Sequence, residues 1–162
     1  MDRKLKDNLD YSAKRDKTAV VNPKRPELID KLKKMAYNLT KQVNYSFPEA
    51  LEKVKTELSK EGFGVISEID LKEKFKEKLN IDFREYRILG ACNPKLAHQA
   101  IEQEENIGVL LPCNVLVQDH GDGRVEVTAV NPMETMSSVD NSNLQSIANE
   151  VSEKLKKVIA SI

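Results

Sequence analysis

Apolar and polar residues alternate with period two over Leu39–Tyr45. Leu39, Lys41, Val43 and Tyr45 fall on one side, and Thr40, Gln42 and Asn44 on the other. This spacing predicts a strand with Lys41 as the one charge on its first face. The period then changes. Phe47, Ala50, Leu51, Val54 and Leu58 recur at helical spacing behind Ser46-Phe47-Pro48-Glu49. Ser46 and Glu49 are placed as a capping box, and Pro48 stands in the first turn, where a missing N–H costs nothing. Gly62 predicts the left-handed stop. Phe63–Ile69 reads as a second strand. Asp70 caps a short helix marked by Leu71, Phe75 and Leu79, and Arg84–Ala91 reads as a third strand.

Asn93 and Pro94 open a further helix with Leu96, Ala97, Ala100 and Ile101 on its buried stripe. Gly108–Gln118 is the most apolar stretch and predicts a strand. Pro112 within it donates no ladder bond, so this strand is expected at a sheet edge or broken by a bulge. The loop 119–123 joins it to Arg124–Val130, where Val125, Val127 and Ala129 face one way and Arg124, Glu126 and Thr128 the other. A long amphipathic helix from about Ser142 to Ile159 closes the chain, with Leu144, Ile147, Val151, Leu155 and Val158 in register, and is expected to lie across the sheet. The order of elements predicts an α+β domain built on one antiparallel sheet.

The N-terminal stretch differs. Residues 1–34 show no sustained apolar period and hold 11 Lys/Arg against 6 Asp/Glu, within a chain of 162 residues that balances 26 basic against 26 acidic ones. This predicts a flexible or partly helical basic extension, with a short helix over Pro26–Lys34, followed by a single domain over 35–162. The acidic body and an aromatic content of 5% without Trp argue against a nucleic-acid partner. No apolar run is long enough for a membrane span and the first residues lack a signal-peptide core, so the expected compartment is the cytoplasm.

Candidate chemistry concentrates at two cysteines. Cys92 stands in Gly90-Ala91-Cys92-Asn93-Pro94, just before a helix cap, where free amides and the dipole favour a thiolate. Cys113, in Leu111-Pro112-Cys113-Asn114-Val115, shares the parity of Val115 and Val117 and is expected to point inward. Adjacent strands would bring the two together. The competing reading makes each a small apolar packing residue. Two thiols are too few for a structural zinc site. His98 falls off its helix's apolar stripe and reads as solvated; His120 and Asp119 read as turn residues, Tyr86 as a half-buried sheet residue, and Met133 and Met136 as fillers under the last helix.

From Met35 onward the chain resembles the bacterial and archaeal family known only as domain of unknown function 302. Ser46-Phe47-Pro48-Glu49 and Gly62-Phe63-Gly64-Val65 carry the likeness, and Gly90–Pro94 and Leu110–Val115 carry it more specifically. The resemblance implies a fold like that of the TATA-binding protein. Its strands and helices run β-α-β-β-β-β-α with extra short helices, the helices packing on one face. It also implies pairing as a homodimer and motif residues Cys92, Asn93, Pro94, Pro112, Cys113 and Asn114. It names no activity and no cofactor. The fold likeness does not license DNA binding. The expected function is therefore a module that binds a small molecule or a protein at Cys92/Cys113, in the groove between sheet and last helix. The alternative is a thiol-based redox or soft-metal protein using the same two residues, and a third, weaker option is a purely structural homodimer.

Overall fold

The computed structural model describes residues 36–162. The helix expected over Pro26–Lys34 and the rest of the basic extension lie outside the described residues. Five strands, β1 (Asn38–Val43), β2 (Gly64–Asp70), β3 (Tyr86–Cys92), β4 (Cys113–Asp119) and β5 (Val125–Val130), form one sheet in the order β1-β5-β4-β3-β2. Every neighbouring pair is antiparallel. The helices are α1 (Phe47–Lys60), α2 (Leu71–Leu79), α3 (Pro94–Gln103), α4 (Pro132–Thr135) and α5 (Asn143–Ser161). With the shorter helices set aside, the order is the expected β-α-β-β-β-β-α.

The local signals act as their chemistry dictates. The Ser46 amide donates to the Glu49 carboxylate at 2.9 Å, closing one half of the capping box. The Ser46 hydroxyl and amide together hold the Glu49 carboxyl below its ordinary pKa. At the other end of α1, Gly62 takes φ +83°; its amide donates to Ser59 and that of Phe63 to Leu58, the paired bonds of a Schellman stop. Asp70 accepts from the Glu73 amide and Asn93 from the Leu96 amide, as predicted.

One sheet face is covered by α1 and α5. Val115, Val117, Val125, Val127 and Ala129 interleave there with Val54, Leu58, Leu155 and Val158, all buried. Lys41, the odd charge on this face, reaches the end of α5 and donates to the carbonyls of Ala160 and Ile162 at 2.8 and 2.9 Å. It thereby satisfies acceptors that a helix C-terminus leaves unpaired.

One expectation fails here. Gly108–Leu111 is not strand: residues Glu105–Leu110 form a 3₁₀ segment, and β4 starts only at Cys113. Pro112 therefore stands just outside the ladder, joined to Leu111 by a cis peptide bond, and β4 occupies the middle of the sheet rather than an edge. The missing N–H of proline is accommodated by delaying the strand, not by exposing it. The strand expected over Phe63–Ile69 is present as β2, and it carries a bulge between Val65 and Ser67. Beyond it, Glu68 and Asp70 pair with Leu89 and Arg87 and so join the covered face.

Candidate functional site

The two cysteines meet at one end of β3 and β4. Cys113 is the first residue of β4 and lies directly across from Ala91, so Cys92 is one residue along from its cross-strand partner. In a regular pleat Cys92 would point to the other face. It is instead the last residue of β3, immediately before the cap of α3, and it lines the same cavity as Cys113. Cys113 is buried, Cys92 half-buried, and both are free thiols. The walls are apolar: Phe63, Ala91, Leu96, Ala100, Leu111 and Val151 are among them, and Met136 adds a thioether. The cavity is about 20 Å³, room for one water-sized body.

Electrostatics separate the two thiols. Burial, and after it the nearby Cys92, pushes the Cys113 thiol up to about 11. An apolar wall disfavours the thiolate, and a second ionisable sulfur nearby disfavours it further. On its own, Cys113 is no nucleophile at neutral pH. At Cys92 the helix start is partly used already. The Asn93 side chain takes the Leu96 amide at 3.3 Å, and the Ala97 amide donates to the Asn93 carbonyl at 2.9 Å. Pro94 has no N–H to offer. The free amides expected to cradle an anion there are thus fewer than the sequence suggests.

The six motif residues divide. Cys92, Asn93 and Cys113 line the cavity. Pro94 is the first residue of α3, where its fixed φ suits the helix. Pro112 packs on Gly90 instead, where an added Cβ would come within 2.8 Å of its ring and 2.2 Å of the Ser67 hydroxyl. Asn114 is exposed and pairs with Gly90 on the uncovered face. The Gly90 and Pro112 motifs are therefore one packing device that clamps β3, β4 and β2 together beside the cavity. Ile147 and Val151 of α5 line the cavity from the other side, and their helical spacing was the signal that the last helix reaches this spot.

Other candidates fall away. His98 is exposed; His120 sits half-buried in the hairpin, with its amide bonded to Arg124, and Asp119 accepts from the Gly121 amide, a turn former. Met136 is buried against Leu144 and Ala148, a filler as expected. A larger open groove of about 670 Å³ beside α2 is lined by Asp70, Lys72, Lys76, Asp82, Glu85 and Arg87. These charges are already paired with one another, Lys72 with Glu85, Lys76 with Asp82 and Arg87 with Asp70, so the groove offers a ligand little that is free. Among the described residues no cluster of three or more His, Cys, Asp or Glu side chains could hold a metal ion, and no helix is long and apolar enough to cross a membrane.

The model of the family described as Domain of unknown function DUF302 matches residues 39–162. The crystal structure of uncharacterized conserved protein DUF302 from Bacillus stearothermophilus is similar, with a TM-score of 0.72 and 26% identity over 77% of this chain and 97% of that one. No curated protein matches the chain.

Proposed function

Because the chain belongs to the domain of unknown function DUF302 family, whose description assigns no activity, we propose its function from the cavity: a non-catalytic module that holds one small, soft ligand between Cys92 and Cys113. The observation that carries this reading is that both cysteines line one apolar cavity of about 20 Å³, near enough for Cys92 to disfavour ionisation of Cys113. A space of that size excludes an organic substrate, and its walls present no acid–base pair for catalysis. The half-buried Cys92 provides the entry side, and Cys113 the buried one.

Native mass measurement of the folded chain, purified under reducing conditions, tests this. A ligand adduct is expected on the wild type and lost in Cys92→Ala and in Cys113→Ala. Bare chain mass in all three proteins would remove the binding reading and leave the cysteines as packing. A loss of two hydrogen atoms on mild oxidation, two protons to water and two electrons to the added oxidant as an S–S bond forms, with no adduct beforehand, would favour the redox alternative.

We further propose that the chain pairs with a second copy of itself across the sheet face opposite α1 and α5. Three cross-strand rows form it: Ile69–Ile88–Leu116–Thr128–Thr40, Tyr86–Gln118–Glu126–Gln42 and Ser67–Gly90–Asn114. Glu126 is the single formal charge in these rows, in a chain that is 32% charged, and the Arg84 guanidinium laid over Tyr86 and bonded to Gln118 adds one opposite charge at their margin. A face so poor in charge meets its own copy without like-charge repulsion, as an isologous contact requires. Light scattering of the full chain should give twice the chain mass, and the pair Ile88→Lys with Leu116→Lys should return it to one. A wild type that is monomeric at every concentration would exclude the dimer.

A further inference from the structure

We infer that the cavity between Cys92 and Cys113 binds one monovalent soft metal ion, copper(I) or silver(I), as a dithiolate. The inference rests on the binding reading above and names its ligand. Four observations converge on it. The cavity admits one atom-sized body and no organic group. Apart from its two cysteines the lining is almost wholly apolar: Asn93 is the one other polar residue in it, and its amide is engaged with the Leu96 N–H and the Glu61 carbonyl. Thiolate and thioether donors select copper(I) over hard cations, and the Met136 thioether lines the same space. A tetrahedral divalent ion needs four donors, and no third His, Cys, Asp or Glu joins the pair among the described residues.

The chemistry balances without a redox step. The incoming ion forms two metal–sulfur bonds, both S–H bonds break, and two protons leave to water. No electron moves. The complex keeps one net negative charge inside an apolar wall. The N-terminus of α3, ten residues long and starting directly after Cys92 and Asn93, presents the positive end of its dipole there. The ion also removes the difficulty that Cys113 presents alone: a buried thiol that resists ionisation in isolation is deprotonated outright on coordination.

The test uses the full chain, reduced and anaerobic, titrated with copper(I) against a chromophoric chelator, with silver(I) as a second probe. One ion per chain is expected. Because two protons are released, affinity should rise about 100-fold per unit between about pH 6 and pH 8. Cys92→Ser and Cys113→Ser should each weaken binding by at least roughly 100-fold, and Met136→Leu by less than about tenfold. Cys92 stands at the rim, so Cys92→Ser keeps the test valid even where Cys113→Ser melts early; circular dichroism establishes which variants are folded. Equal copper(I) affinity in wild type and folded Cys92→Ser overturns the inference, as does an affinity that does not rise with pH. A cysteine-dependent adduct in the native mass spectrum that contains no metal sinks the ion assignment and leaves the binding module standing. Neither adduct nor titration removes both.

Discussion

The two faces of the sheet are made by the same five strands and meet opposite conditions. The covered face presents Val115, Val117, Val125 and Val127 to α1 and α5, and every one of these is buried. The other face, which α1 and α5 leave free, presents Ile88, Leu116, Thr128 and Gln118; none belongs to a core cluster among the described residues, though Thr128 is buried. Yet the uncovered face is not simply the polar side. Ile69 is 43% exposed there, next to Ile88 and Leu116, while charge is almost absent. Charge, by contrast, appears at the β2–β3 edge of the covered face. Arg87 bonds Glu68 at 2.7 Å and Asp70 at 2.8 Å, and Lys55 of α1 reaches Glu68 at 3.2 Å. Hydrophobicity alone does not mark the inside of this protein; cover does, and where the helices stop, paired charges close the layer.

The comparison is sharpest under truncation. Leu155→Ala in the covered layer should cost about 3 kcal/mol in chemical denaturation, whereas Leu116→Ala on the other face should cost less than about 1 kcal/mol in the monomer. Equal costs would mean that Leu116 is as enclosed as the core. The next largest effect is electrostatic. The covered face should refuse a new charge, and Cys113 measures this. Its folded thiol ionises near 11 and an unfolded one near 9, so the folded state holds more protons in that window. Stability should therefore be full below about pH 9 and fall by about 3 kcal/mol as pH rises through 11, a loss absent from the curve of Cys113→Ala.

Gly90 tests whether the uncovered face is loosely built. Gly90→Ala drives a methyl against Ser67 and Pro112 and should cost about 1–2 kcal/mol despite lying opposite the helices. A neutral result would show that the clamp beside the cavity yields. The smallest effect is at the charged edge. Arg87→Met should cost about 1 kcal/mol at neutral pH, since the network is partly solvated. Burial alone would raise the Glu68 carboxyl, but Lys55 and Arg87 outweigh it and hold it below its ordinary value. A lowered carboxyl stabilises above its unfolded pKa, so the penalty should fade as acid protonates Glu68. A penalty unchanged in acid would mean that Arg87 acts through packing.

The contrast between faces was largely legible in the residues. Val125-Glu126-Val127-Thr128-Ala129 declares its two sides by alternation alone, and Ser46, Asp70 and Asn93 mark helix starts that the structure keeps. What was not legible depends on the third dimension. The bulge after Val65 turns Glu68 and Asp70 inward only because Arg87 and Lys55 arrive from β3 and α1 to receive them. The break at Pro112 was visible, but its remedy, a late start to a central strand, was not. The cavity itself draws on Phe63, Cys92, Cys113 and Val151, scattered over three elements and the turn before β2. The pleat rule alone would have separated Cys92 from its partner, yet both residues line the one cavity where β3 ends at the cap of α3.

Setting β1 beside β5 also governs how the molecule assembles in time. The ladders β2–β3, β3–β4 and β4–β5 each join segments that follow one another along the chain, so each closes a comparatively short loop. β1 finds its place only when Val43 meets Val125 and Lys41 meets the final turn of α5. Closing so distant a contact carries the largest chain-entropy cost of the sheet, and nothing local rewards it in advance. On this ground the meander is expected to form first and β1 to join last, an order that pulsed hydrogen exchange during refolding checks.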